Sequence, residues 1–265
     1  MTLIGDADCT ENCAGPTTCP PAAEKLACPQ LSGETMKIGI LQCGHAADEV
    51  QPTHGDYDDM FRRLLGGNDF DFQTWNVDRM EFPASVHDAD GWLLTGSRHG
   101  VYEDHEFIPP LEDLVRQVYA AAVPMVGICF GHQLIAQALG GRVEKFKGGW
   151  SVGRHTYDFN DEGKISLNAW HQDQVIEKPE GAETIASSDF CANAALVYGD
   201  RALTIQAHPE FTNDLVADYI ELRKTNPAYD AERLEGARKY IEVPVDAGRI
   251  GARIADFFRK GTART

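Results

Sequence analysis

No apolar run in the chain approaches the roughly 20 residues that a membrane-spanning helix needs. The first residues have neither the basic start nor the apolar stretch of a secretory signal. Cations are scarce, with 24 Lys and Arg against 41 Asp and Glu and a formal charge of −17. That balance repels phosphate backbones and anionic bilayers, which argues against nucleic acid or membrane partners. A glycine-rich phosphate loop, an internal repeat and a coiled-coil pattern are also missing. The seven cysteines are odd in number, which fits a reducing compartment better than a disulfide framework. The cytoplasm is the expected setting.

What is present begins with one stretch, Pro124 to Gly140, reading PMVGICFGHQLIAQALG. Val126 and Ile128 sit in a short continuous apolar run, as in a strand buried on both faces. From Gly131 onward Leu134, Ile135, Ala138 and Leu139 recur at helical spacing, and Gly140-Gly141 stop the helix. Between the two lies Gly127-Ile128-Cys129-Phe130-Gly131, the G-x-nucleophile-x-G layout of a sharp strand-to-helix turn. Glycines flank it because a Cβ would crowd the turn, and the amides opening the helix favour a thiolate at Cys129. Taken alone, this is equally the pattern of a buried structural cysteine.

A second stretch supplies the missing groups. Ala202 to Ala207 resembles a strand and delivers His208-Pro209-Glu210. In extended chain, residues two apart share a face, so Glu210 is expected beside His208. Cys129, His208 and Glu210 then make an activated-nucleophile constellation. An α/β-hydrolase with a cysteine elbow carries the same G-x-C-x-G, but there the histidine follows the acid.

GICFGHQ followed by HPE resembles the class I glutamine amidotransferases, the Cys-His-Glu triad family that includes the glutaminase domain of guanylate synthetase. The similarity runs from Met36 to about residue 225. It implies a flavodoxin-like, doubly wound, mostly parallel sheet with an antiparallel excursion. It also implies that LLTGSRHGVYED, residues 93–104, is an oxyanion loop with the Gly96 amide as one donor, that Gln133 holds the amino-acid end of the substrate, and that Trp170, His171, Gln172 and Asp173 form a substrate-binding segment. Trp170 and Gln172 replace smaller residues of the family pattern.

The rest of the chain agrees with an α/β architecture. Lys37–Cys43, Phe70–Val77 and Trp92–Leu94 are expected strands. Tyr57–Leu65 is an expected amphipathic helix, and another is expected over Leu111–Ala122, after Pro109-Pro110. Alternation at this spacing argues a parallel sheet with chemistry at the carboxyl ends of its strands. Cys43 and His45 are read as a buried thiol and a loop histidine. Beyond Gly141 come short β-like runs at 142–146, 154–159, 164–167, 175–176 and 195–198. Helices follow at 212–224, 230–241 and 246–260. Residues 36–265 are expected to be one domain with a helical extension from about 226. Residues 1–35 hold Cys9, Cys13, Cys19 and Cys28 in a Pro-, Thr- and Ala-rich context without apolar periodicity, which suggests a disordered leader. Their uneven spacing, without a Cys-x2-Cys pair, argues against a zinc site. Gly33-Glu34 is a translation that a purine-rich, ribosome-binding-like tract in the gene would give, so Met36 is a candidate start.

The expected chemistry is hydrolysis of a γ-glutamyl amide. Cys129 attacks, His208 moves the proton, Glu210 orients His208, and the amides of Gly96 and Phe130 receive the oxyanion. It requires no metal or organic cofactor. Arg98, His99, Tyr102 and Glu103 are expected at the pocket rim. Three readings stay open: a glutaminase subunit feeding a separate synthetase, a stand-alone γ-glutamyl hydrolase or peptidase, and a catalytically inactive binding domain.

Overall fold

Strand and helix alternate from the first described residues. A computed structural model describes residues 35–262; the expected leader, its four cysteines and the candidate start region before Thr35 lie outside them. The chain runs through β1 (Met36–Gln42), α1 (Gln51–His54), α2 (Tyr57–Leu64), β2 (Phe70–Asn76), β3 (Gly91–Leu94), α3 (Ile108–Ala120), β4 (Met125–Ile128) and α4 (Phe130–Ala138). It continues with β5 (Arg142–Lys145), β6 (Ser151–Phe159), β7 (Gly163–His171), β8 (Asp173–Glu177), β9 (Glu183–Ser187), β10 (Ala195–Tyr198) and β11 (Ala202–Ile205). The helices α5 (Asn213–Arg223), α6 (Ala231–Arg238) and α7 (Ala247–Thr262) follow.

Nine strands form one sheet in the order β2-β1-β3-β4-β11-β10-β9-β6-β7. The pairs from β2 to β11 are parallel, and those from β11 to β7 are antiparallel. The expected antiparallel excursion therefore continues the main sheet; only β5 and β8 leave it, as a separate two-stranded ribbon. Strand periodicity divides the core. Trp92, Leu94 and Met125 face α3 and α4, while Leu93, Val126, Ile128, Ile38 and Ile40 face α2 and α7. Ile250, Ile254 and Phe258 of α7 are fully buried on that second face. A third apolar cluster joins α5 and α6 to Val152 and Phe211.

Several local expectations change, and a strand not expected from the sequence appears at Glu183–Ser187. The third helix starts at Ile108, not after the prolines: Pro109 and Pro110 lie in its first turn, where amides have no intrahelical acceptor. The strand expected over 164–167 extends to His171, because it pairs along its whole length with β6. Among the described residues, no helix is long and apolar enough to cross a membrane.

The sheet order positions the site. Neighbouring parallel strands β3, β4 and β11 end on the same edge, with Leu94 opposite Gly127 and Ile205 opposite Ile128. The loops leaving these ends carry Gly96, Cys129 and His208. Open parallel sheets bind ligands along this edge.

Candidate active site

Cys129 stands at the turn between β4 and α4 with φ 51° and ψ −101°, a left-handed backbone that non-glycine residues rarely take. The turn is held from both sides: the Cys129 amide donates to the Ile205 carbonyl at 2.9 Å, and the Gly131 amide to that of Thr95 at 3.1 Å. Both flanking glycines are required. A Cβ at Gly127 would lie 2.5 Å from the Gly131 carbonyl oxygen, and one at Gly131 would lie 2.5 Å from that of Leu94. Cys129 thus occupies the N-cap position of α4, at the positive end of the helix dipole.

His208 and Glu210 are joined by a hydrogen bond, Nδ1–H to Oε1 at 2.7 Å, and both are buried. The extended chain expected there is absent. The Phe211 amide donates to the His208 carbonyl at 3.3 Å, so Pro209 and Glu210 form the middle of a turn that folds the carboxylate back onto the ring. Phe211 stacks on the imidazole at 4.0 Å and 16°. From β7, the Asn168 carbonyl accepts the His208 amide at 2.8 Å. With Nδ1 committed to Glu210, the other ring nitrogen remains for exchange with Cys129. Burial, the largest single influence, opposes a charge on His208. Attraction to the Cys129 sulfur and the Glu210 carboxylate outweighs it and pushes the pKa up to about 10.

Gly96 lies against both groups. A Cβ there would sit 3.0 Å from Cε1 of His208 and 3.9 Å from Cβ of Cys129, so only glycine lets the backbone approach this closely. Thr95 fixes the peptide: its amide donates to the Leu41 carbonyl, and its hydroxyl accepts from the Cys43 amide and donates to the Gly96 carbonyl. Phe130 occupies the first position of α4, so its amide has no acceptor within the helix.

Cys129 and His208 open into a cleft of about 1280 Å³, which Gln133, Trp170, His171, Gln172 and Asp173 also line. Gln133 donates to the Asp173 carbonyl at 2.8 Å and to the Gln206 side chain at 3.1 Å, tying α4 to the 170–173 segment. His171 donates to the Asp173 carbonyl at 3.2 Å, and burial, aided by repulsion from His208, pulls its pKa down to about 3. It is therefore neutral. Asp173 is pushed up by burial while the Tyr102 hydroxyl and Lys145 oppose the shift. Gln172 reaches the Phe146 carbonyl at 3.4 Å.

Trp170 donates its Nε1–H to the Tyr229 hydroxyl at 3.3 Å and packs on Tyr219 at 5.2 Å. Tyr229 in turn lies 4.4 Å from Trp150. All four rings line the cleft as one aromatic wall. Trp150, Tyr219 and Tyr229 are not distinguishable in sequence from ordinary core aromatics, since they come from three separate elements. Arg98, His99, Tyr102 and Glu103 line the same cleft, as expected of the rim. His45 also faces it, held by Asp56 at 2.5 Å and Asp78 at 3.2 Å. Cys43 is fully buried, and desolvation pushes its thiol far above the usual range, so it is no second nucleophile.

Residues 60–221 match the family model for glutamine amidotransferase class-I. Gamma-glutamyl peptidase 4 of Arabidopsis thaliana is 32% identical over 65% of this chain and 74% of its own. One subunit of the glutamine-hydrolyzing GMP synthase of Halobacterium salinarum is 34% identical over 61% of this chain and 87% of its own. The crystal structure of a glutamine amido transferase from Methylobacillus flagellatus superimposes with a TM-score of 0.67 at 22% identity, covering 86% of this chain and 94% of that one. This last similarity concerns the fold.

Proposed function

The chain belongs to the glutamine amidotransferase class-I family, and on that premise we propose that it hydrolyses a γ-glutamyl amide through a glutamyl thioester on Cys129. The observation that carries this reading is a cysteine at a positive-φ elbow facing a buried, hydrogen-bonded His208–Glu210 pair. In the proposed cycle the Cys129 thiolate adds to the side-chain carbonyl, and the oxyanion takes hydrogen bonds from the amides of Gly96 and Phe130. Imidazolium at His208 then protonates the departing amine. A water, deprotonated by the same imidazole, attacks the thioester and releases glutamate. Glu210 orients the ring and exchanges no proton. Gln133, His171, Gln172 and Asp173 hold the glutamyl half, and Trp170 borders the leaving-group side. A reducing cytoplasm suits a free catalytic thiol.

For the leaving group we propose an amine larger than ammonia. The aromatic wall of Trp150, Trp170, Tyr219 and Tyr229 supports this, because it offers apolar area that ammonia leaves unused. The name of the Arabidopsis relative points the same way. A second reading, a glutaminase subunit serving a separate synthetase, draws on the similarity to the Halobacterium protein. Comparing kcat/KM on glutamine with kcat/KM on γ-glutamyl amines and dipeptides separates them. The expected result is an advantage for the extended substrates on the order of tenfold or more. Preference for glutamine, stimulated by a co-purifying synthetase, overturns the stand-alone reading.

A further inference from the structure

The loop leaving Gly96 gathers two imidazoles and a carboxylate that the proposed chemistry does not use. Nδ1 of His99 lies 3.6 Å from Oε2 of Glu103, and Nε2 of His105 lies 3.0 Å from the same oxygen. One ligand atom from each of the three residues falls within 4.8 Å of the other two. In a tetrahedral zinc site with bonds of about 2.0–2.1 Å, neighbouring ligand atoms stand about 3.3 Å apart. The two distances to Glu103 bracket that spacing. We propose that His99, Glu103 and His105 form a binding site for one divalent transition-metal ion at the rim of the cleft.

The donor set defines the class of ion. Two imidazole nitrogens and one carboxylate oxygen suit Zn²⁺ and its first-row neighbours better than Mg²⁺ or Ca²⁺, which prefer all-oxygen shells. The backbone already holds the ligands in place. The Glu103 amide donates to the Gly100 carbonyl at 3.0 Å, that of His105 to Glu103 at 3.0 Å, and that of Ile108 to His105 at 3.1 Å. The His105 ring is stacked on Phe107, 5.9 Å away, and Phe107 packs on Phe130, the residue after Cys129. The two histidine rings lie 3.9 Å apart. Arg98 beside His99 works against a cation, whereas the chain's charge of −17 favours one.

Three protein ligands leave at least one position for water or for a donor atom on a molecule in the cleft, which His99 and Glu103 both line. A bound ion would also cross-link residues 99 and 105, restraining the loop that begins at the Gly96 amide. The site is independent of the hydrolytic assignment, and its test does not read turnover.

Zinc also binds a thiol beside an imidazole, so the comparison is made in a Cys129→Ala background, where that competing pair is gone. Metal-free Cys129→Ala protein and the same protein carrying His99→Ala and His105→Ala are titrated with Zn²⁺ against a chromophoric chelator. Cysteines outside the loop are common to both and cancel in the difference. The expected result is one tightly bound Zn²⁺ fewer per chain without the imidazoles, together with loss of a visible Co²⁺ ligand-field spectrum that lacks sulfur charge transfer. Glu103→Gln, which keeps the side-chain shape, should weaken the same site on the order of tenfold or more; it decides the question if the histidine variant does not fold. Equal Zn²⁺ stoichiometry and affinity with and without these side chains would overturn the proposal and leave the cluster as a histidine–glutamate ion pair.

Discussion

His208 keeps a proton in a place where burial alone would remove it. Its charge depends on two neighbours, the Cys129 sulfur and the Glu210 carboxylate, and this dependence gives the residue-scale account a test. Its folded pKa, about 10, lies above the ordinary histidine value of 6.5. The stability tied to the charge is therefore fully present below about pH 6.5 and is lost as pH rises through about 10. Replacing Cys129 by Ala removes the chief attraction while burial remains, so NMR titration should find the His208 ring deprotonating at lower pH than in the parent. The alkaline loss of Tm should shrink in parallel. An unchanged titration would show that the sulfur does not hold the proton. At this scale the sequence was informative where a residue type carries its own chemistry: Cys129, His208 and Glu210 stand out as nucleophile, base and carboxylate, whereas Gly96 came from the resemblance alone. The aromatic wall was not legible. Trp150 and Tyr229 serve a core as readily as a cleft, and only the fold brings them side by side.

At the scale of elements, the elbow was legible because its glycines answer to backbone contacts within one short turn. The structure gives each glycine a reason. Gly131 has the carbonyl and Cβ of Leu94 at 2.5 and 2.7 Å from where a Cβ would stand, so β3 and α4 approach as closely as backbones can. Gly131→Ala should therefore force the two elements apart. The expected cost is about 1–3 kcal/mol, seen as a Tm lower by roughly 2–12 °C, with a loss of turnover because the same shift displaces the Phe130 amide. Wild-type Tm and turnover in that variant would mean that the turn tolerates what its geometry forbids. Other elements were less legible. The histidine–glutamate pair looked extended because strand-like residues precede it, whereas Pro209 and Glu210 occupy a turn closed by the Phe211 amide. Pro109 and Pro110 looked like a boundary, although the first turn of a helix accepts proline without loss of a hydrogen bond.

Across the whole molecule, the site exists because β3, β4 and β11 are neighbours, though β11 comes seven strands after β4 in the chain. Strand positions and a parallel, doubly wound architecture can be inferred from local periodicity. Which strand lies next to which cannot, because pairing between distant strands leaves no local pattern. The same limit explains why the antiparallel strands looked like an excursion: local runs such as Ala195–Tyr198 carry no record that they pair with β11 and continue the sheet. The central claim is that this arrangement makes Cys129 the acceptor of a glutamyl group. Its most direct test is acid quenching during turnover of a γ-glutamyl amide, followed by mass spectrometry of the peptide containing Cys129. The account predicts a glutamyl adduct on that cysteine, absent from Cys129→Ala, whose turnover should fall on the order of 10³-fold or more. Turnover that persists in Cys129→Ala, or an adduct carried by another residue, would contradict it.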